Sequence, residues 1–314
     1  PLVLGAVCRG WRIIAWSLPK LWTYVEVRLD RPAKREFEIV SEWLQRSKQL
    51  LISVQVTTYE DFQIRLSSSG RDIIGALNAH SDRWQNLQLW MPERLMTHFV
   101  GKRDSNQASP LRSLKLRSGL DCSSDYTGLF DVEAGLPTPA SVSLYGCSLS
   151  SVHIQWNKVT WIQVGSLEIG QCLDLLRAAP DLIYCKFYEV QTHDNVGQYS
   201  SVTNFLCHSK LQTLVFHGQC SHVAIEVFEQ VSLPALEELE VDVNFDDLPT
   251  DALKTFFNRS ARGLWKLTIF QAQINVTGFV SMLQKVPSLE LLVLCPEVDT
   301  GFDLTEFLNV LGET

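Results

Sequence analysis

The hexapeptide LRSLKL, residues 111–116, carries apolar side chains at its first, fourth and sixth positions. The same pattern returns as VTWIQV (159–164), LIYCKF (182–187), LQTLVF (211–216), LEELEV (236–241), LWKLTI (264–269) and LELLVL (289–294). Looser copies are WTYVEV (22–27), LISVQV (51–56), WQNLQL (84–89) and PASVSL (139–144). Successive copies begin 20 to 33 residues apart. The last two apolar positions lie two residues apart, the interval between side chains on one face of a β-strand. Between copies, GQCLDLLRAAP (170–180), HVAIEVFEQV (222–231), DALKTFFNRSA (251–261) and VTGFVSMLQKVP (276–287) repeat their apolar residues three and four apart, as a helix does. Pro249-Thr250-Asp251 offers capping chemistry before one of these helices. The 139–159 interval is too short for a full helix and is expected to return through a turn. GKRDSNQASP (101–110) reads as a loop.

Strand and helix alternating at a near-constant interval, close to the 20–29 residues of leucine-rich repeats, predict an α/β solenoid. Each strand would add to a parallel concave sheet, with helices outside and uneven curvature from the irregular spacing. An ordinary α/β domain with a parallel sheet is the simpler alternative, because it also alternates strand and helix.

If the apolar positions point inward, the residues flanking them form the outward sheet face. Strand by strand this face reads Asn86, Gln88, Trp90; Ser113, Lys115, Arg117; Ser141, Ser143, Tyr145; Trp161, Gln163, Gly165. It continues as Tyr184, Lys186, Tyr188; Thr213, Val215, His217; Glu238, Glu240, Asp242; Lys266, Thr268, Phe270. The candidate partner-binding residues are therefore Trp90, Lys115, Arg117, Tyr145, Trp161, Tyr184, Tyr188 and Phe270, aromatics interleaved with cations. Glu238, Glu240 and Asp242 form an acidic block suited to a basic segment of a partner. The bland reading is that these aromatics pack across neighbouring strands.

The formal charge of −8 argues against a general nucleic-acid binder, which needs Lys and Arg to neutralise phosphates. No apolar run is long enough for a membrane span. Eight cysteines without a CxxC pair suit reduced, mostly buried thiols and a cytoplasmic or nuclear setting. The sequons at Asn258 and Asn275 are then chance matches. No phosphate-cradling glycine loop, HExxH or GxSxG is present, so neither a catalytic residue nor a cofactor is expected. Cys207, His208, His217, Cys220 and His222 have zinc-binding side chains, but their spacing matches no standard finger and ordinary structural roles are expected. Asp246 and Asp247 are expected to be solvated in a polar connection.

The first residues form another pattern. Leu4, Val7, Cys8, Trp11, Ile14, Ala15 and Leu18 recur at helical spacing before Pro19, an amphipathic helix expected to pack on the mouth of the solenoid as a cap. VCRGWRIIAWSLPKLW (7–22) resembles the second half of an F-box through Val7, Cys8, Arg9, Trp11, Arg12, Ala15, Ser17, Pro19, Leu21 and Trp22. EWLQRSKQLLISVQV (42–56) and HSDRWQNLQLWMP (80–92) are similar to the Trp-Leu-x-Arg-Ser and Arg-Trp-x-x-Leu-x-Leu segments of fungal F-box-like leucine-rich-repeat proteins. The resemblance implies a partial F-box at 1–21 and a leucine-rich-repeat-like solenoid at 22–314. It further implies a non-catalytic substrate-recognition subunit of a cullin–RING ubiquitin ligase, marking targets for degradation. Val7, Trp11, Ile14, Leu18 and Pro19 would dock a Skp-type adaptor, and the solenoid would bind an unknown protein substrate. The family's first helix, with its Leu-Pro-x-Glu start, would precede residue 1. The alternative is a ligase-independent interaction scaffold in which the F-box-like helix only caps the solenoid.

Overall fold

The structure is a computed structural model describing residues 2–30, 34–58, 66–101, 109–119, 130–131, 136–192, 205–260, 262–295, 305 and 307–309. The chain is α/β, with a large sheet of parallel strands in each of its units. It divides into two compact units, Pro1–Trp156 and Asn157–Thr314. Among the described residues no helix is long and apolar enough to cross a membrane.

The first unit begins with helices α1 (Leu2–Val7) and α2 (Arg9–Ser17), then runs β1 (Tyr24–Arg28), α3 (Lys34–Arg46), β2 (Ile52–Thr57), α4 (Ser68–Asn78) and β3 (Trp84–Trp90). The short helix α5 (Glu93–Met96) follows, then β4 (Ser113–Arg117), β5 (Phe130–Asp131), β6 (Ser141–Tyr145) and β7 (Val152–His153). Its sheet strands lie in the order β1-β2-β3-β4-β6, while β5 and β7 pair separately. The 139–159 interval holds short 3-10 turns and the two-residue β7, but no α-helix, as its length predicts.

The second unit runs β8 (Trp161–Gly165), α6 (Ile169–Ala178), β9 (Tyr184–Val190), β10 (Leu206–Cys207), β11 (Thr213–Gly218), α7 (Ser221–Gln230) and β12 (Val231–Ser232). It continues with β13 (Glu238–Asp242), α8 (Thr250–Ser260), β14 (Lys266–Phe270), α9 (Val276–Leu283) and β15 (Leu291–Cys295). The sheet order is β8-β9-β11-β13-β14-β15, and β10 pairs with β12.

The hexapeptide positions form the core because each strand buries its fourth and sixth residues against the helical layer. Leu114 and Leu116, Ile162 and Val164, Cys185 and Phe187, and Leu239 and Val241 are all buried. Phe216 on β11 meets Phe228 of α7 edge-on at 5.4 Å, and Phe228 meets Phe256 of α8 at 5.0 Å. Such ring pairs contribute about 0.5–1.5 kcal/mol beyond the area they bury. Two copies depart from the pattern. In LISVQV the first position is filled by buried Ile52 while Leu51 is exposed, because the register shifts there between β2 and β3. In LELLVL the residues of β15 are only half-buried or exposed.

Two devices recur that the apolar pattern does not reveal. Gly146, Ser166, Glu189 and Gln271, each the second residue after a hexapeptide copy, have positive φ of 63°, 60°, 51° and 44°. The chain thus leaves β6, β8 and β14 through a left-handed residue, and in β9 the same position, Glu189, falls within the strand where its register against β11 shifts; only one of the four is the glycine that this conformation favours.

The second device closes helix ends. Arg83, buried just before β3, sends Nη1 to Ser47 Oγ (3.0 Å), Leu50 O (3.2 Å) and Lys48 O, and Nη2 to Leu44 O (3.3 Å). These acceptors lie in the last turn of α3 and the segment after it, where Lys48 adopts φ 52°. Arg259 of α8 likewise donates to Val231 O (2.9 Å) and Phe228 O, at and beyond the end of α7. His208 reaches Ala179 O behind α6 through Nε2 at 2.9 Å and accepts Leu211 N–H at Nδ1 (3.2 Å), which assigns the proton to Nε2. Carbonyls at helix ends have no partner within the helix, and a cation there also opposes the negative end of the dipole.

Candidate protein-binding surfaces

The N-terminal stretch forms two helices instead of the one expected over Leu4–Leu18. Cys8 is extended (φ −158°, ψ 173°) and its Sγ caps α2 by accepting from Trp11 N–H at 3.5 Å. The break lets α1 pack on α2: Arg12 Nε donates to Gly5 O at 2.8 Å, and Trp16 lies over Gly5. A Cβ at Gly5 would fall 2.0 Å from the Trp16 ring, so only glycine permits this contact.

Behind α2 stands a tryptophan cluster. Trp22 is 2% exposed and donates Nε1–H to Ala15 O at 2.8 Å. It meets Trp16 at 5.4 Å and Trp43 of α3 at 5.1 Å, both edge-on. The Arg46 guanidinium lies 5.0 Å from the ring centres of both Trp16 and Trp22, a cation–π arrangement between α3 and α2. Ala15, a member of the expected stripe, and Trp16 therefore form the inner side of α2, which turns Trp11, Ile14 and Leu18 outward. Val7, Trp11, Ile14 and Leu18 are 64%, 53%, 58% and 47% exposed, and Pro19 is half-buried. Of the stripe expected to pack inward, only Ala15 is buried and Leu4 half-buried, while the other apolar residues face water. Leu2, Val3 and Ile13 extend the exposed apolar surface; helical periodicity missed Ile13 because it falls beside the stripe rather than on it.

The outward sheet face has the register that alternation predicts. In the first unit Asn86, Ser113 and Ser141 are cross-strand partners, as are Gln88, Lys115 and Ser143, and Trp90, Arg117 and Tyr145. The Arg117 guanidinium sits between two rings, 5.8 Å from Trp90 and 5.3 Å from Tyr145. Trp90, Lys115 and Arg117 are exposed and Tyr145 half-buried. Farther along, Tyr24 Oη donates to Gln55 Oε1 at 2.7 Å and Asn86 Nδ2 to Ser53 Oγ at 2.8 Å.

In the second unit Trp161 stacks on Tyr184, with ring centres 5.2 Å apart and planes 8° from parallel. Lys186 Nζ lies 4.5 Å from the Tyr188 ring centre, and Tyr188 meets His217 edge-on at 5.5 Å. The acidic block is matched from within the chain. Glu238 takes Lys266 Nζ at 2.9 Å, while Glu240 takes His217 Nε2 at 2.8 Å and Lys186 Nζ at 4.0 Å. Asp242 Oδ1 accepts Asn244 N–H at 2.8 Å. Val215 and Thr268 are buried, and Phe270 is half-buried, so this face is more closed than alternation alone suggests.

The remaining candidates have structural explanations. Among the described residues no group of three or more His, Cys, Asp or Glu is placed to hold a metal. Cys207 belongs to β10, His208 is a buried clasp, and His222 pairs with Glu226. Asp246 is not merely solvated. Its Oδ2 accepts the N–H and Oγ–H of Ser221 at 2.9 and 2.8 Å, and Oδ1 accepts Asp247 N–H at 2.8 Å. These hydrogen bonds from Ser221 and Asp247 hold its carboxyl below the usual carboxylate range. Asp246 thereby caps α7 from 25 residues downstream, doing what the N-cap residue Cys220 does not. Asn275, one of the two sequon asparagines, caps α9 by accepting Gly278 N–H at 2.9 Å. No family model matches the chain, and no curated protein matches it either.

Proposed function

We propose that the chain is a non-catalytic protein-interaction module: a leucine-rich-repeat-like solenoid with a partial F-box, acting as a substrate-recognition subunit of a cullin–RING ubiquitin ligase in the cytoplasm or nucleus. The observation that carries this reading is the exposed apolar set Val7, Trp11, Ile14 and Leu18 on α1, on α2 and at the C-terminal cap of α2. The F-box resemblance assigns those side chains to adaptor docking, and a patch of large apolar side chains left in water marks an interaction surface. The outward faces of the strands then serve substrate recognition. Support for the repeat also comes from Ser47 and Arg83, which belong to the two segments carrying the resemblance and hydrogen-bond one another at 3.0 Å.

Co-expression with a purified-tag Skp-type adaptor tests the reading. The adaptor co-purifies with the chain, and Trp11→Asp with Ile14→Asp abolishes this without shifting the unfolding midpoint, because both side chains are more than half exposed. Failure to co-purify, or retention by the double variant, refutes adaptor docking.

The ligase-independent scaffold is favoured by a separate observation, the anchoring of α2 through Trp16, Trp22 and Arg46. In that reading, deleting residues 2–17 lowers the stability of the first unit and leaves every partner interaction intact.

A further inference from the structure

The outward faces of the two units differ in how their charges are arranged. On β13 and β14 each carboxylate–cation neighbour is paired: Glu238 with Lys266, and Glu240 with Lys186 and His217. On β2, β3, β4 and β6 the outward positions hold Lys115 and Arg117 but no Asp or Glu. Among the described residues neither cation meets a carboxylate: Lys115 stands exposed between Gln88 and Ser143, and Arg117 touches only the rings of Trp90 and Tyr145. In a chain with 35 acidic and 27 basic residues, four adjacent strands free of outward acid leave the two cations without a neighbouring countercharge; the outward Glu26 stands on β1, three strands from Lys115.

We propose that this face binds an acidic segment of a partner protein in extended conformation; the proposal rests on the protein-binding reading above and names its substrate class. Lys115 and Arg117 are two residues apart on one strand, about 6.4–6.8 Å at a rise of about 3.2–3.4 Å per residue. An extended peptide with carboxylates at alternate positions repeats at the same distance, so one side chain meets the ammonium as the next meets the guanidinium. The rings on either side hold the guanidinium plane in place, which suits bidentate capture of a carboxylate. Asn86, Gln88, Ser113 and Ser143 surround the cations with groups that donate and accept hydrogen bonds, as an extended backbone requires.

Fluorescence anisotropy with a labelled decapeptide of alternating Glu and Ser tests this, with an alternating Gln and Ser peptide as control. The acidic peptide binds, and added salt weakens it. Lys115→Glu with Arg117→Glu reduces its affinity by at least about tenfold, since like charges now face each other. The neutralising pair Lys115→Gln and Arg117→Gln reduces it in the same direction, whereas reversal of the exposed Arg262 and Lys285 leaves it within about twofold. Equal binding of the neutral peptide, absence of acidic-peptide binding, or affinity unchanged by either pair overturns the proposal. Co-purification of the adaptor with the Lys115 and Arg117 variants is read alongside. An adaptor lost only through Trp11 and Ile14 separates the two sites, so failure of adaptor docking with peptide capture intact counts against the ligase reading alone.

Discussion

Replacing Arg83 by methionine keeps the aliphatic stem in its buried channel and removes the guanidinium. Four acceptors then lose their donor: Ser47 Oγ and the carbonyls of Leu44, Lys48 and Leu50. Ser47 Oγ also donates to Leu44 O at 2.7 Å, so that carbonyl keeps one partner. The Lys48 and Leu50 carbonyls have no second side-chain donor of this kind and must turn to water. Both carbonyls are part-buried and water can reach them, so the change costs about 1–3 kcal/mol, the worth of hydrogen bonds to a charged donor. Burial holds the Arg83 pKa below that of a free guanidinium, yet it stays charged near neutral pH because an arginine starts so high. Urea unfolding followed by far-ultraviolet circular dichroism reads the effect. With a slope of about 2–3 kcal/mol/M, the midpoint of the transition that unfolds the first unit falls by about 0.3–1.5 M. Hydrogen exchange supplies the local test: protection is lost first in the last turn of α3 and in β3. Arg83→Lys recovers only part of the midpoint, because one ammonium cannot span acceptors that a planar fork reaches. A methionine variant with an unchanged midpoint and unchanged protection at the end of α3 would falsify the clasp.

Asp246→Ala removes the cap of α7 and costs about 1–2 kcal/mol near neutral pH. Because its folded pKa is depressed, the stabilisation by Asp246 is present above the unfolded value near 3.9 and is lost as pH falls through the folded value. The wild-type and Asp246→Ala unfolding curves therefore converge in acid, and a gap constant with pH would show that the carboxylate charge has no part in the cap. Gly5→Ala drives Trp16 off α1 and releases residues 2–17 to limited proteolysis, whereas Gly10→Ala, with only Cys8 Sγ near at 3.9 Å, leaves the cleavage rate unchanged; equal rates in both variants argue against the Gly5–Trp16 contact. Burial pushes the Cys172 and Cys185 thiols well up, while Cys8 and Cys207 are exposed. Iodoacetamide accordingly labels Cys8 and Cys207 in the folded chain and reaches Cys172 and Cys185 only after unfolding, an order that mass spectrometry reads directly.

The sheet was legible because its signal is local. Leu111, Leu114 and Leu116 carry their own period, and the same residues predict which side chains stand beside them. LISVQV misled at Leu51 because two apolar neighbours compete for one inward position, and the partner strand's register decides between them. The stretch before Pro19 misled for a related reason. Apolar spacing describes a helix face but does not say which side meets the core, and the answer came from Gly5, Trp16 and Trp22. Charge on the outward face was harder still. Glu240 looks acidic in sequence, yet His217 and Lys186 reach it from β11 and β9, 23 and 54 residues away. Asp246 belongs to the same class, since its partner Ser221 opens a helix in the preceding interval. Side chains that act between successive intervals leave no local pattern, so the candidate surface could be drawn from sequence while its electrostatics could not.

The clasps formed by Arg83, His208 and Arg259 make neighbouring intervals share their stability. Each takes a donor from one strand–helix interval and closes a helix end in the preceding one, so opening a strand also strips the turn behind it. Melting inside a unit then advances interval by interval from wherever it begins, with a coupling energy at each junction. A substitution at a clasp lowers that coupling and broadens the transition, whereas a substitution in a hydrophobic layer shifts the midpoint while the width stays the same. Transition width, measured across a set of variants, therefore distinguishes residues that hold one interval together from residues that hold intervals to each other.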